Sequence, residues 1–183
     1  ASDAPLLGRP LAMYEAVLDD AGEPWALDVV YMAIGRMTRR LATVRSGEQI
    51  DVWGPLGNGF PPEPVDHLIM VGGGIGQTPF LALGQEALGR RSYGQADRQP
   101  GWAKRATLCY GARNEQLLAC VDDFRNAGIT VRLATDDGST GHRGLVTDLI
   151  GPLVDESGGS CRIVSCGPEP MLKAVVEIAR RLD

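Results

Sequence analysis

From Val65 onwards, apolar runs alternate with amphipathic stretches, and this alternation predicts strands and helices in succession. His67-Leu68-Ile69-Met70-Val71 is a continuous apolar run, the pattern of a strand covered on both faces. A helix is expected from about Thr78 to Arg90, with Thr78 as its cap and Pro79 in its first position. A second strand, Ala106 to Tyr110, leads to a helix over Glu115 to Ala127 that ends at Gly128. Ile129 to Ala134 is the third strand and Val146 to Val154 the third helix; Arg162 to Ser165 is the fourth strand and Pro168 to Leu182 the final helix. Repeated strand–helix units specify an α/β fold with a parallel, doubly wound sheet.

The chain ahead of Val65 is patterned differently. Leu11 to Phe60 reads as β structure, with strands expected at Ala26 to Met32 and Gln49 to Trp53. Between them Arg36 to Val44 is a short helical or turn segment with Leu41 and Val44 facing inward. The stretch from Gly54 to Pro64 is rich in Gly and Pro and marks a boundary, so two units are expected, residues 1–60 and 61–183. The polar loop 92–101 reads as an insertion before the second strand of the larger unit.

Composition narrows the function classes. A net charge of −5 with no basic block excludes a nucleic-acid surface. No apolar run approaches the roughly 18 residues of a membrane span, and the N-terminus lacks the basic and apolar regions of a signal peptide. The 4 Cys then read as reduced thiols of a cytoplasmic protein. Cys161 and Cys166 begin a C-x4-C-x2-C iron–sulfur spacing, but the next ligand position holds Glu169. The segment between the two cysteines also reads as a strand, which sets their sulfurs about 16 Å apart. His67 and His142 are isolated, so no metal site is expected.

The chemistry concentrates where strands end. Gly72-Gly73-Gly74-Ile75-Gly76 closes the first strand of the larger unit and opens a helix. Glycines let a backbone approach a pyrophosphate, and a helix N-terminus offers it free N–H groups; the plainer reading is a tight strand–helix turn. Cys166-Gly167-Pro168-Glu169-Pro170-Met171 ends the fourth strand on the same edge, where ligands of open α/β sheets bind. Taken alone, Cys166 reads equally as a small space-filling residue. Tyr110-Gly111-Ala112-Arg113 reaches that edge too, with Arg113 either a phosphate or ribose contact or a solvated charge. In Thr135 to Gly141, Asp136 and Asp137 stand near a ribose position, though Asp-Gly is first a turn signal.

Together these motifs resemble the ferredoxin–NAD(P) reductase superfamily, and in detail the electron-transfer subunits of class 1B dihydroorotate dehydrogenases. The residues that carry the resemblance, in order, are Gly54 to Phe60, Gly72 to Gly76, Cys109 to Arg113, Thr135 to Gly141 with Gly144 to Asp148, and Cys166 to Met171. The resemblance implies an NAD-binding domain preceded by part of an antiparallel FAD-binding β-barrel. It places Gly72, Gly73, Gly74, Ile75, Gly76, Tyr110, Gly111, Arg113, Asp136, Gly167, Pro168 and Met171 around NAD, with Cys166 beside the nicotinamide as the catalytic residue. It places Arg9, Pro10, Leu11, Ala12, Val30, Tyr31, Met32, Met37 and Thr38 around FAD, with Arg9 and Thr38 on its phosphates. This chain departs from the flavin motifs at Ala12, Met32 and Met37, which removes side-chain or close-backbone contacts, and Arg36 stands nearby to compensate.

The resemblance also implies an activity: electrons pass from dihydroorotate through FMN in a catalytic partner subunit and a 2Fe–2S cluster to FAD and NAD, in pyrimidine biosynthesis. A heterotetramer with that FMN-containing subunit is expected. The cysteine-rich tail that holds the 2Fe–2S cluster in the family is absent, and only about half of the family's barrel precedes Gly54, so the sequence is expected to be a fragment trimmed at both ends. Two alternatives stay open. One is another NAD(P)H-dependent flavin electron-transfer subunit of sulfhydrogenase or transhydrogenase type; the other is a redox-inactive nucleotide-binding module.

Overall fold

The computed structural model describes residues 8–93 and 98–182. Residues 94–97 of the expected polar loop lie outside that range, as do 1–7 and 183. The described chain builds a two-stranded antiparallel hairpin and a five-stranded parallel sheet.

The hairpin pairs β1 (Glu15–Leu18) with β2 (Pro24–Asp28), and a six-residue helix α1 (Arg36–Leu41) follows. Residues 49–53, expected as a strand, adopt no regular structure. Ile50, Val52 and Trp53 there are exposed, so alternation supplied a strand pattern with no neighbouring strand among the described residues to take its hydrogen bonds. The expected strand over 26–32 is displaced toward its N-terminus, to 24–28.

The large sheet runs β6 (His142–Arg143), β5 (Thr130–Thr135), β4 (Ala103–Ala112), β3 (Val65–Gly73), β7 (Cys161–Cys166). Each of its pairings is parallel. The short β6 carried no sequence signal. Leu68, Met70, Leu108 and Tyr110 face one core, which holds Phe80 and Leu83 of α2 (Phe80–Ala87) and Phe124 of α3 (Val121–Asn126). The alternate residues Ile69, Val71 and Cys109 face a second core with Ile150 and Leu153 of α4 (Ile150–Asp155) and Val175 of α5 (Glu169–Leu182). Helices on both faces explain why the β3 sequence is apolar at successive positions instead of alternating.

Three expected helices begin differently. A 3₁₀ turn over Gly74–Gln77 precedes α2, and Thr78 caps nothing with its side chain, since its hydroxyl donates back to the Ile75 carbonyl at 3.1 Å. A 3₁₀ turn over Val146–Leu149 leads into α4. The expected helix over 115–127 splits into a 3₁₀ turn at Glu115–Leu117 and α3, with Cys120 left-handed at φ 60°. The Tyr110 hydroxyl accounts for the break: it accepts from Ala119 N at 3.2 Å and donates to Leu117 O at 3.5 Å. Among the described residues no helix is long and apolar enough to cross a membrane.

A candidate dinucleotide crevice at the switch point of the sheet

The sheet extends from β3 through β4 and β5 on one side and through β7 on the other. Its topological switch point therefore lies between β3 and β7, where ligands of doubly wound folds bind beyond the carboxyl ends of the strands. Strand register sets the candidate residues level with one another. Gly72 lies opposite Tyr110 on one side and Cys166 on the other, and Gly73 opposite Gly111. Ala112 lies opposite Thr135, and Asp136 N and Asp137 N donate to the carbonyls of Ala112 and Arg113 at 3.1 and 3.2 Å. Gly72 to Gly76, Tyr110 to Arg113, Asp136 and Cys166 to Met171 thus share one edge.

The glycine turn is built by close approach. A Cβ on Gly76 would collide with the Cys166 carbonyl, and one on Gly73 would stand 2.7 Å from Met171 Sδ and 2.9 Å from Pro168 Cδ. The turn is thereby packed against the backbone at the exit of β7 and against the side chains of Pro168 and Met171 that lead into α5. Gly74 differs: its φ of +55° is left-handed, and nothing lies within 4 Å of the Cβ position. The open side of the turn at Gly74, beside the first N–H groups of a helical turn, fits a pyrophosphate. Ile75 is partly exposed beside it at 37%.

Cys166 is half-buried, and burial raises its thiol pKa, so it is protonated at neutral pH. Burial likewise pushes the Cys109 thiol up to about 12. Arg113 and Asp136 are exposed at the rim. The run from Thr135 to Gly141 is a self-bonded turn: the Thr135 hydroxyl donates to Thr140 O at 2.8 Å, and Asp137 Oδ1 accepts from Ser139 N at 2.9 Å. Its bonds to Ser139 hold the Asp137 carboxyl below the usual range. One residue of the turn escaped sequence reasoning. Gln77 is fully buried, and neither its Oε1 nor its Nε2 meets a partner.

The flavin-motif residues gather elsewhere. An antiparallel hairpin puts the start of β1 and the end of β2 together, and Tyr14 N donates to Asp28 O at 2.8 Å there. Arg9, Pro10, Leu11 and Ala12 therefore approach the same end as Val30, Tyr31 and Met32. Arg9, Pro10, Leu11 and Met32 are exposed, whereas Ala12, Val30, Tyr31, Met37 and Thr38 are half-buried. The Thr38 hydroxyl is engaged locally, accepting from Gly35 N at 3.0 Å. Val30 and Cys166 pack against the same core, which ties this end of the hairpin to the crevice side of the sheet.

The oxidoreductase NAD-binding domain model matches residues 70–177, from the glycine turn into α5. The chain belongs to the oxidoreductase NAD-binding domain family. Curated relatives carry a more specific name. A dihydroorotate dehydrogenase B (NAD(+)) electron transfer subunit of Shouchella clausii is 38% identical over 93% of this chain and 59% of its own length. A probable subunit of the same name from Thermococcus kodakarensis is 32% identical over 84% of this chain and 59% of its own length. The chain thus spans a little under 60% of these relatives.

Among solved structures, an NADH-dependent reduced ferredoxin–NADP oxidoreductase superposes with a TM-score of 0.65 at 26% identity, covering 94% of this chain and 62% of its own. The cytochrome b5 reductase domain of Ulva prolifera nitrate reductase superposes with a TM-score of 0.60 at 17% identity, over 92% and 77% of the two chains, and shares the fold.

Proposed function

We propose that this chain is the FAD- and NAD-handling part of the electron-transfer subunit of an NAD-dependent dihydroorotate dehydrogenase, acting in the cytoplasm in pyrimidine biosynthesis. The observation that carries the proposal is the register of Gly72, Tyr110 and Cys166 at the switch point of the sheet. The name borne by the relatives supports it. The partner is then an FMN-containing catalytic subunit, in a heterotetramer.

When bound, the cofactors supply the hydride chemistry, and the chain contributes position. The Gly72 to Gly76 backbone holds the pyrophosphate of NAD. The main chain at Tyr110 and Gly111 and the exposed side chain of Arg113 would flank its adenosine half, with Asp136 placed to accept from a ribose hydroxyl. Cys166, Gly167, Pro168 and Met171 floor the nicotinamide. Cys166, as a neutral thiol, orients the ring and makes no covalent bond to it. Arg9 and the main chain around Pro10, Leu11, Val30, Tyr31, Met37 and Thr38 hold FAD; Ala12 and Met32 offer it no side-chain hydrogen bond.

The likeness to a ferredoxin–NADP oxidoreductase supports a second reading, a flavin electron-transfer subunit serving a different catalytic partner. One experiment separates the readings. The purified full-length protein that contains this chain is expected to carry flavin absorbance that bleaches anaerobically with NADH. Supplied with a class 1B catalytic subunit, it should couple dihydroorotate oxidation to NAD reduction. Bleaching without coupling selects the second reading, and absence of flavin at every protein concentration rejects both.

A further inference from the structure

The linker ahead of β3 has an unusual hydrogen-bonding inventory. Pro61, Pro62 and Pro64 lack N–H groups, so the carbonyls are the main means of tying this stretch down. Two consecutive carbonyls are held by arginines from opposite flanks of the α/β domain. Arg98 Nη2, from the loop before β4, donates to Phe60 O at 2.8 Å. Arg162 Nη1, from β7, donates to Pro61 O at 2.5 Å. β4 and β7 lie on either side of β3, so the chain enters the central strand between two guanidinium groups.

Neither arginine is loose. Arg98 makes a two-pronged contact with Glu86 of α2, Nε to Oε1 at 2.5 Å and Nη2 to Oε2 at 2.6 Å. Glu86 is only 2% exposed, so its carboxylate depends on this partner. Arg162 reaches Glu63 Oε2 at 3.6 Å, within the linker itself. The Phe60 ring stands 6.0 Å from that of Phe80, which opens α2 just beyond the glycine turn. The linker thus packs on the first residue of α2, the helix that follows the 3₁₀ turn presenting Gly74.

A second brace holds the hairpin. Glu15 of β1 accepts from Tyr93 at 2.5 Å and from Gln85 of α2, and Arg91 Nη1 donates to Ala16 O at 3.2 Å. The loop that read as an insertion thus supplies contacts to both pieces of the N-terminal unit.

We propose that Arg98 and Arg162 are positioning residues that fix the N-terminal unit, through the 54–64 linker, relative to the dinucleotide turn. That they thereby set the approach of flavin to nicotinamide rests on the function proposed above. The test is hydrogen–deuterium exchange of the whole chain, comparing wild type with Arg162→Met and with the double variant Arg98→Met/Glu86→Gln, which avoids leaving a buried carboxylate alone.

Amides over 14–18, which hold the hairpin, should exchange roughly ten-fold faster while those of β3 and β7 keep their protection. In flavin-bearing protein, NADH affinity should stay within about two-fold while flavin reduction at saturating NADH slows about 10- to 100-fold, and Arg98→Lys should recover part of that rate. Unchanged exchange in both variants overturns the proposal, as does protection lost equally from β3 and β7. If wild type carries no flavin, the functional reading fails, and the exchange result still decides the role of the two arginines.

Discussion

Adding one methyl group at Gly76 challenges the crevice at its tightest point. The new Cβ would enter the Cys166 carbonyl, and backbone can yield only by separating the turn from the end of β7. Gly76→Ala is expected to weaken NADH binding at least ten-fold in a titration and to cost about 1–3 kcal/mol of stability. His67 makes a separate prediction at the opposite end of the sheet. The Ser157 hydroxyl donates to Leu153 O at 2.7 Å, so it accepts from Nδ1–H of His67; Nε2 then accepts from the Thr107 hydroxyl at 2.8 Å. Burial first, then the charge of Arg105, lowers the imidazole pKa below the ordinary 6.5 of histidine. The unfolded chain therefore takes up the proton first as pH falls, and stability present above pH 6.5 is lost through the window down to the lower folded value. Urea midpoints measured across that window should fall with pH in wild type and flatten in His67→Gln.

At the scale of elements, the Tyr110 hydroxyl stands in for a backbone partner at the break before α3. Tyr110→Phe keeps the buried ring but strands Ala119 N, so chemical denaturation should show a loss of about 1 kcal/mol, with faster amide exchange at Ala119. This break also shows where sequence reading stops. β3 was legible as a continuous apolar run, and β4, β5 and β7 as short stretches of β-formers in repeated strand–helix units, each followed by a glycine at or near its exit. The same exits revealed the crevice, since in a parallel sheet they share one edge. The helix over 115–127 misled because its interruption comes from a side chain in another element. Residues 49–53 misled because alternation describes one strand and says nothing of its neighbour. Glu15, Glu86, Arg98 and Arg162 were invisible because isolated charges in polar segments read as solvated until a fold brings their partners across.

For the whole molecule, the uneven distribution of apolar surface is the governing property. The α/β domain buries most of its large apolar side chains, whereas Trp25 at 70%, Leu27 at 60%, Val52 at 77% and Trp53 at 86% stay exposed on the N-terminal unit. Apolar groups in such number on one unit favour association. Sedimentation velocity should show self-association that grows with protein concentration and weakens in Trp53→Glu; a monomer at all concentrations would contradict it. The crevice has a different consequence, in time. Its two walls, β3 and β7, are joined by contacts such as Asp66 to Ser160, 94 residues apart in the chain, whereas β3 to β4 and β4 to β5 are nearer neighbours in sequence. Loop-closure entropy is largest for the most distant pairing, so β7 is expected to dock after the rest of the sheet, which pulsed amide exchange during refolding would show as protection of β7 later than of β3 and β4. A refolding chain has no place for a dinucleotide until that final docking, and NAD therefore stabilises the finished protein without guiding the route to it.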